Sequence, residues 1–160
     1  MARSTNTLLT KQAGEFLVAA ELCRRGMFAT TFSGNMPHYD ILAHLPGGHT
    51  AFVQVKTKSG SQPSWVLGTE YFLALETAEG THVIRELAPV PIEGLRFVFV
   101  DLLKQGQDRF YVLRFEDLQQ VIHNRYGEWL AKKPRPVINP SDLRVEHIAE
   151  AADAWDVIVT

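Results

Sequence analysis

The chain has 160 residues, 46% of them hydrophobic and 21% charged, a globular composition that excludes a disordered or fibrous chain and suits one domain spanning 1–160. A single cysteine, Cys23, excludes an internal disulfide and fits a reducing compartment, so the expected location is the cytoplasm. The formal net charge of −2 excludes a chain that binds nucleic acid through bulk positive charge alone.

Residues 8–25 read as a helix. Leu9, Ala13, Phe16, Ala20 and Cys23 recur at steps of four and three, with Leu17 beside them, and this apolar stripe is expected to face the core, Cys23 included. Gly26 is the expected stop. Met27–Phe32 reads as a strand and Ser33-Gly34-Asn35-Met36-Pro37 as a loop. Tyr39–Leu45 and Thr50–Lys58 are predicted strands, joined by the hairpin signal Pro46-Gly47-Gly48-His49. Residues 59–94 hold Ser, Gly and Pro clusters around apolar patches at 65–75 and 83–87, and one or two short elements are expected there. Leu95–Leu103 and Arg109–Phe115 are again predicted strands, turning through 104–107. Glu116–Ala131 reads as a second helix, ended by Pro134, Pro136 and Pro140, and a last short helix is expected within 141–157. This order is that of an α+β fold. The N-terminus leads into an amphipathic pattern rather than an apolar signal core, and no apolar run approaches the roughly 20 residues that span a bilayer, so no membrane partner is expected.

The charge is unevenly placed. Residues 1–60 carry six basic and three acidic side chains, whereas 61–160 carry ten and fifteen. Within the second part, residues 125–135 are locally basic, and Lys132-Lys133 there is a candidate phosphate clamp or simply a solvated helix end.

The chemistry concentrates in residues 40–56. In the predicted strand 50–58, Phe52, Gln54, Lys56 and Lys58 share one face, and Val53 and Val55 the other. A lysine between apolar neighbours on an interior strand needs a nearby carboxylate or phosphate. If the hairpin loop is the three-residue Pro46-Gly47-Gly48, residues whose numbers sum to 94 pair across it, and Asp40 lies opposite Gln54 with Lys56 one diagonal step away. A four-residue loop would instead put Asp40 opposite Val55, on the wrong face. Asp40, the Gln54 side-chain oxygen and the Val55 carbonyl are hard oxygen donors of the kind Mg²⁺ prefers. Lys56 beside them could orient an attacking water or meet developing charge. Glu15, beside the apolar stripe of the first helix, is the candidate to complete the set, while Glu21 lies well round the helix and is expected in solvent.

The run Gly14-Glu15, a helix to Arg24-Arg25-Gly26, a strand, Tyr39-Asp40-Ile41-Leu42 and Val53-Gln54-Val55-Lys56-Thr57 resembles the PD-(D/E)XK nuclease superfamily. That superfamily includes restriction endonucleases, Holliday-junction resolvases and small homing endonucleases. The resemblance covers roughly the first 60 residues. It implies a restriction-endonuclease-like core, with a mixed sheet of about five strands flanked by helices. It also implies a catalytic set of Glu15, Asp40, Gln54 and Lys56, with metal held by Asp40, Gln54, Val55 and Glu15. The implied activity is Mg²⁺-dependent cleavage of duplex or branched DNA, with Mn²⁺ able to substitute, in a homodimer or higher homo-oligomer. Two departures stand out. The proline that usually precedes the aspartate is absent, Pro37 lying three positions upstream, and Gln54 stands where most members carry an acid, although a Gln-x-Lys variant occurs in active members. Ser33 resembles the serine that resolvases carry after the first strand.

Lys58 is a candidate phosphate contact or a strand-end residue, and Trp65 a candidate base-stacking residue or part of the core. One cysteine and scattered histidines build no zinc site, and no glycine-rich nucleotide loop is present. The alternative function is a silent nuclease-like module that binds DNA or a protein partner.

Overall fold

The computed structural model describes residues 2–32, 36–45, 47–78, 81–132 and 141–160. Helix α1 (Ala2–Arg24) is followed by strands β1 (Phe28–Thr31), β2 (Ile41–His44) and β3 (Thr50–Ser59). After β3 come β4 (Trp65–Leu67), a short 3-10 turn (Thr69–Tyr71), and the pair β5 (Leu73–Ala78) and β6 (Thr81–Leu87). Strands β7 (Leu95–Leu102) and β8 (Arg109–Arg114) lead into helix α2 (Phe115–Lys132), and β9 (Ser141–Leu143) precedes three 3-10 turns. Five strands form the central sheet, in the order β1-β2-β3-β7-β8. Only β3 and β7 run parallel; the other neighbours are antiparallel, so the sheet is mixed, as expected of this α+β chain. Among the described residues, no helix is long and apolar enough to cross a membrane.

The β2–β3 hairpin has the three-residue loop. Ile41 pairs with Val53 and His44 with Thr50, a register in which paired numbers sum to 94. Gly47 and Gly48 take φ of 95° and 92°, the left-handed region that glycine enters without a steric penalty. That geometry decides on which face every later side chain of β3 falls.

The two faces of the sheet are buried differently. One is aliphatic, with Ile41, Val53, Val55, Val98 and Val112 packed under Val18 and Leu22 of α1 and closed by Trp155 and Ile158 of the C-terminal turn. The other is aromatic, with Phe97, Phe99, Tyr111, Phe72 and Trp65 packed against Phe115, Leu118 and Ile122 of α2. The 59–94 region is richer than expected: it holds β4, paired with β9, and the β5–β6 hairpin. In the C-terminal segment β9 and 3-10 turns replace the expected helix.

Helix α1 is rotated relative to the sequence expectation. Its buried residues are Gly14, Val18 and Leu22, whereas Leu9 and Phe16 are 60% and 56% exposed and Cys23 is exposed, not core. Both sets have helical spacing, so periodicity alone could not choose between them. Close approach did. A Cβ on Gly14 would lie 1.9 Å from Thr57 Oγ1 and 2.9 Å from Thr57 Cβ, so α1 rests on β3 at the one position where it has no side chain.

At an exposed helix position Gly→Ala stabilises by about 1 kcal/mol. Here the sign should invert: Gly14→Ala should destabilise by about 1–3 kcal/mol through overpacking against Thr57. Thermal or urea denaturation of the variant checks this, and an Ala that stabilises would remove the contact as a packing constraint.

Candidate active site

Asp40 lies one residue before β2, and its N–H donates to the carbonyl of Val53, the ladder partner of Ile41, at 2.8 Å, one residue out of step with the hairpin register. The chain enters this position through His38, which adopts φ of 73°, uncommon for a residue with a side chain, and whose Nδ1 lies 3.0 Å from the Tyr71 hydroxyl. The ladder ends at Ile41–Val53, and Asp40 reaches Gln54 and Val55 through its side chain.

The carboxylate of Asp40 is anchored on one side and open on the other. Oδ2 accepts the Val55 backbone N–H at 2.8 Å and a short hydrogen bond from the Gln54 amide nitrogen. That amide nitrogen also lies 3.5 Å from the Val55 carbonyl oxygen. Asp40, Gln54 and Val55 thus meet around the Gln54 amide group. A half-turn of that amide would bring the Gln54 oxygen to the same place. The side-chain oxygen was expected there; the structure has the nitrogen, because both neighbours, Asp40 Oδ2 and the Val55 carbonyl, are acceptors and only the amide nitrogen can donate to them.

The open oxygen, Asp40 Oδ1, faces Lys11. The Lys11 ammonium lies 3.4 Å from Asp40 Oδ1 and 3.4 Å from Glu15 Oε1, bridging the two carboxylates. Lys11 and Glu15 are one helical turn apart on α1, and the seating of Gly14 on Thr57 brings both over the middle of β3, beside Asp40. Burial works against the Lys11 charge, but Asp40 and Glu15 outweigh it and raise its pKa. Burial, reinforced by Asp40, raises the pKa of Glu15 against the pull of Lys11. Lys56 is the more deeply set cation: burial lowers its pKa, with Asp40 opposing and Lys11 adding to the effect. Beside Gln54 and Lys56 opens a cavity of about 280 Å³, whose walls include Glu70, Tyr71, Phe72 and Phe97.

Glu15, Asp40, Gln54, Val55 and Lys56 therefore gather in one place. Lys11 joins them without having been singled out in the sequence, although its i,i+4 spacing to Glu15 was a readable signal. Glu21, expected in solvent, pairs with Arg24 and Arg25 away from the site. Two candidate DNA contacts are corrected. Lys58 is buried, its ammonium 2.6 Å from Asp101 Oδ1 and 4.9 Å from the Trp65 ring centroid, so it is not a surface phosphate contact. Asp101 is its registered neighbour on β7. Trp65 is 3% exposed, edge-on to Phe99 and Tyr111, with its indole N–H donating to the Val100 carbonyl, so it is core rather than a base-stacking platform. Lys132 is exposed at the end of α2, while Ser33 and Lys133 lie outside the described residues.

The donor set suits a hard cation. It offers two carboxylates, an amide and a backbone carbonyl, all oxygen once the amide turns, and a cationic group already occupies the space between the carboxylates. Among the described residues no group of three or more His, Cys, Asp or Glu gathers to hold a metal, so any ion here depends on the neutral oxygens as well.

No protein-family model matches the chain, and no curated protein matches it. Among solved structures, the bacterial homing endonuclease I-Ssp6803I is similar in fold, with a TM-score of 0.54 over 96% of this chain and 93% of that one, at 16% identity. The chain therefore has a restriction-endonuclease-like fold over nearly its whole length.

The Glu15 shift has a consequence for stability. A carboxyl whose folded pKa is raised contributes stability below its unfolded value and loses it as pH rises through the folded one. In metal-free buffer Glu15→Gln should therefore raise Tm at pH 7 and leave it nearly unchanged at pH 4. Melting curves at the two values check the sign.

Proposed function

We propose that the protein is a Mg²⁺-dependent endodeoxyribonuclease that hydrolyses phosphodiester bonds in duplex or branched DNA. The observation that supports this most is the convergence of Asp40, the Gln54 amide and the Val55 carbonyl on one point, flanked by Glu15 and Lys56, in a restriction-endonuclease-like fold. Mg²⁺, with Mn²⁺ able to replace it, would supply Lewis acidity toward a phosphodiester oxygen and a water. Asp40 Oδ1 and the Val55 carbonyl would hold the ion, with Gln54 presenting its oxygen after the amide turns and Glu15 closing the set from α1. Lys56, set just inside, would donate an N–H to the attacking water and face the negative charge that develops on the phosphorus oxygens. Its burial keeps that ammonium poorly hydrated, so its field reaches the reacting atoms with little screening.

A chain with one such site cuts both strands only as two or more copies. The outward stripe of α1 is the surface we assign to that pairing. Leu9, Ala13, Phe16, Ala20 and Cys23 alternate steps of four and three, the spacing of a helix–helix seam, and Leu9 and Phe16 stand mostly in solvent. Phe16→Glu should convert a dimer to a monomer in analytical ultracentrifugation and change plasmid cutting from linearisation to nicking. A wild-type protein that sediments as a monomer would move the pairing elsewhere or remove it.

A second reading has its own support. Gln54 stands where the family pattern has an acid, and the Lys11 ammonium already bridges both carboxylates, as in a fold that binds DNA or a protein partner without cutting it. The deciding experiment incubates supercoiled plasmid, linear duplex, single strand and a four-way junction with Mg²⁺, Mn²⁺ or EDTA. Metal-dependent cutting is expected, reduced at least about 100-fold in Asp40→Ala and Lys56→Ala, the scale of losing an electrostatic or acid–base group. A folded wild-type protein that cuts none of them, with or without metal, would favour the binding module.

A further inference from the structure

The Lys11 ammonium spans the two carboxylates that a divalent ion would need. It lies 3.4 Å from an oxygen of each, at the long end of an ion pair, and its side chain is 48% exposed while those of Glu15 and Asp40 are 14% and 11% exposed. Two anions set inside and a cation held loosely at the rim is the arrangement of a removable counterion. The charges support the same view. Lys11 and Lys56 balance Glu15 and Asp40, so the four groups sum to zero without any ion. A divalent ion accepted beside an unmoved Lys11 would leave an excess of two positive charges, with an ammonium and the ion competing for the same oxygens. Like charges so close repel strongly. Lys11 is free to go: its flexible four-carbon stem is tethered only at the exposed face of α1, whereas Lys56 is enclosed beside Phe97 and Tyr71.

We propose that Lys11 is a tethered counterion that occupies the Glu15–Asp40 pair in the metal-free protein and, on displacement by a divalent ion, binds the DNA phosphate arriving at the same rim. This rests on the reading of Asp40 and Glu15 as divalent-ion ligands. The two cations then divide the work. Lys56 stays inside with the reacting atoms, and Lys11 couples metal entry to DNA binding, because the ion that takes its carboxylates releases its positive charge for the backbone. Metal and DNA should therefore each strengthen binding of the other through Lys11.

The test uses the full chain and two readouts other than cleavage. Mn²⁺ binding is measured by titration calorimetry on wild type, Lys11→Gln, Lys11→Arg and Asp40→Asn, with melting curves to establish that each is folded. Lys11→Gln should bind Mn²⁺ about three- to tenfold more tightly, since a competing ion pair of modest strength is gone, and Lys11→Arg should stay near wild type. The affinity for a duplex is then measured against salt in Ca²⁺, where Lys11→Gln should lower the slope of log affinity on log salt by about one phosphate contact. Unchanged Mn²⁺ affinity in Lys11→Gln, with binding still lost in Asp40→Asn, would overturn the counterion role and leave the metal site standing. An unchanged salt slope would overturn delivery to the phosphate. Wild type that binds no Mn²⁺, or binds it undiminished in Asp40→Asn, would instead overturn the metal-site reading on which the proposal rests.

Discussion

The contact between Gly14 and Thr57 sets the geometry on which the site depends. A helix crossing a sheet usually stands off by the thickness of its side chains. Here the glycine lets the α1 backbone come down onto β3, with no room for even a methyl group. That close seat does three things together. It buries Val18 and Leu22 against the aliphatic face of the sheet. It rotates the Leu9–Phe16 stripe outward. It also carries Lys11 and Glu15, which flank Gly14 on the same side of the helix, to the middle of β3, where Asp40 lies.

The site itself is a balanced set of charges rather than an acidic pocket. Asp40 spends one oxygen on a backbone N–H and an amide and turns the other toward an ammonium. Glu15, short of solvent and near a like charge, holds its proton more tightly than a free carboxyl, and Lys56, enclosed, holds its own less tightly. Such mutual perturbation is a feature of functional sites, though structural ion-pair networks produce it too. What distinguishes this one is that its polar atoms meet at a rim beside a cavity, and not inside the core.

The buried pair Lys58–Asp101 shows the other use of the same chemistry. Both strands of the parallel β3–β7 pair are interior, and a charge there must be matched by its registered neighbour. Lys58 and Lys56 look alike in sequence, two residues apart on one face of one strand. Their roles diverge because β7 offers Asp101 opposite Lys58 and Phe99 opposite Lys56, so that only Lys56 is left to face the site.

By itself the sequence determined the two helices, the five strands of the central sheet and which residues of β3 share a face. Strand patterning and a glycine-rich turn narrowed the neighbour of Asp40 to Gln54 or Val55 according to loop length, because a hairpin's register follows from local turn geometry, and the structure supplied the three-residue loop. The resemblance in residues 14–57 likewise pointed to Glu15, Asp40, Gln54 and Lys56, all within two local units, the first helix and one hairpin. The structure alone decided which stripe of α1 is buried, that Lys11 bridges the carboxylates, and that Lys58 and Trp65 belong to the core. Two apolar stripes of equal period are indistinguishable until a sheet selects the one that can approach it. A lysine's partner is equally invisible when that partner arrives from a strand more than forty residues away. These are long-range choices, made by packing, and no window of local sequence contains them.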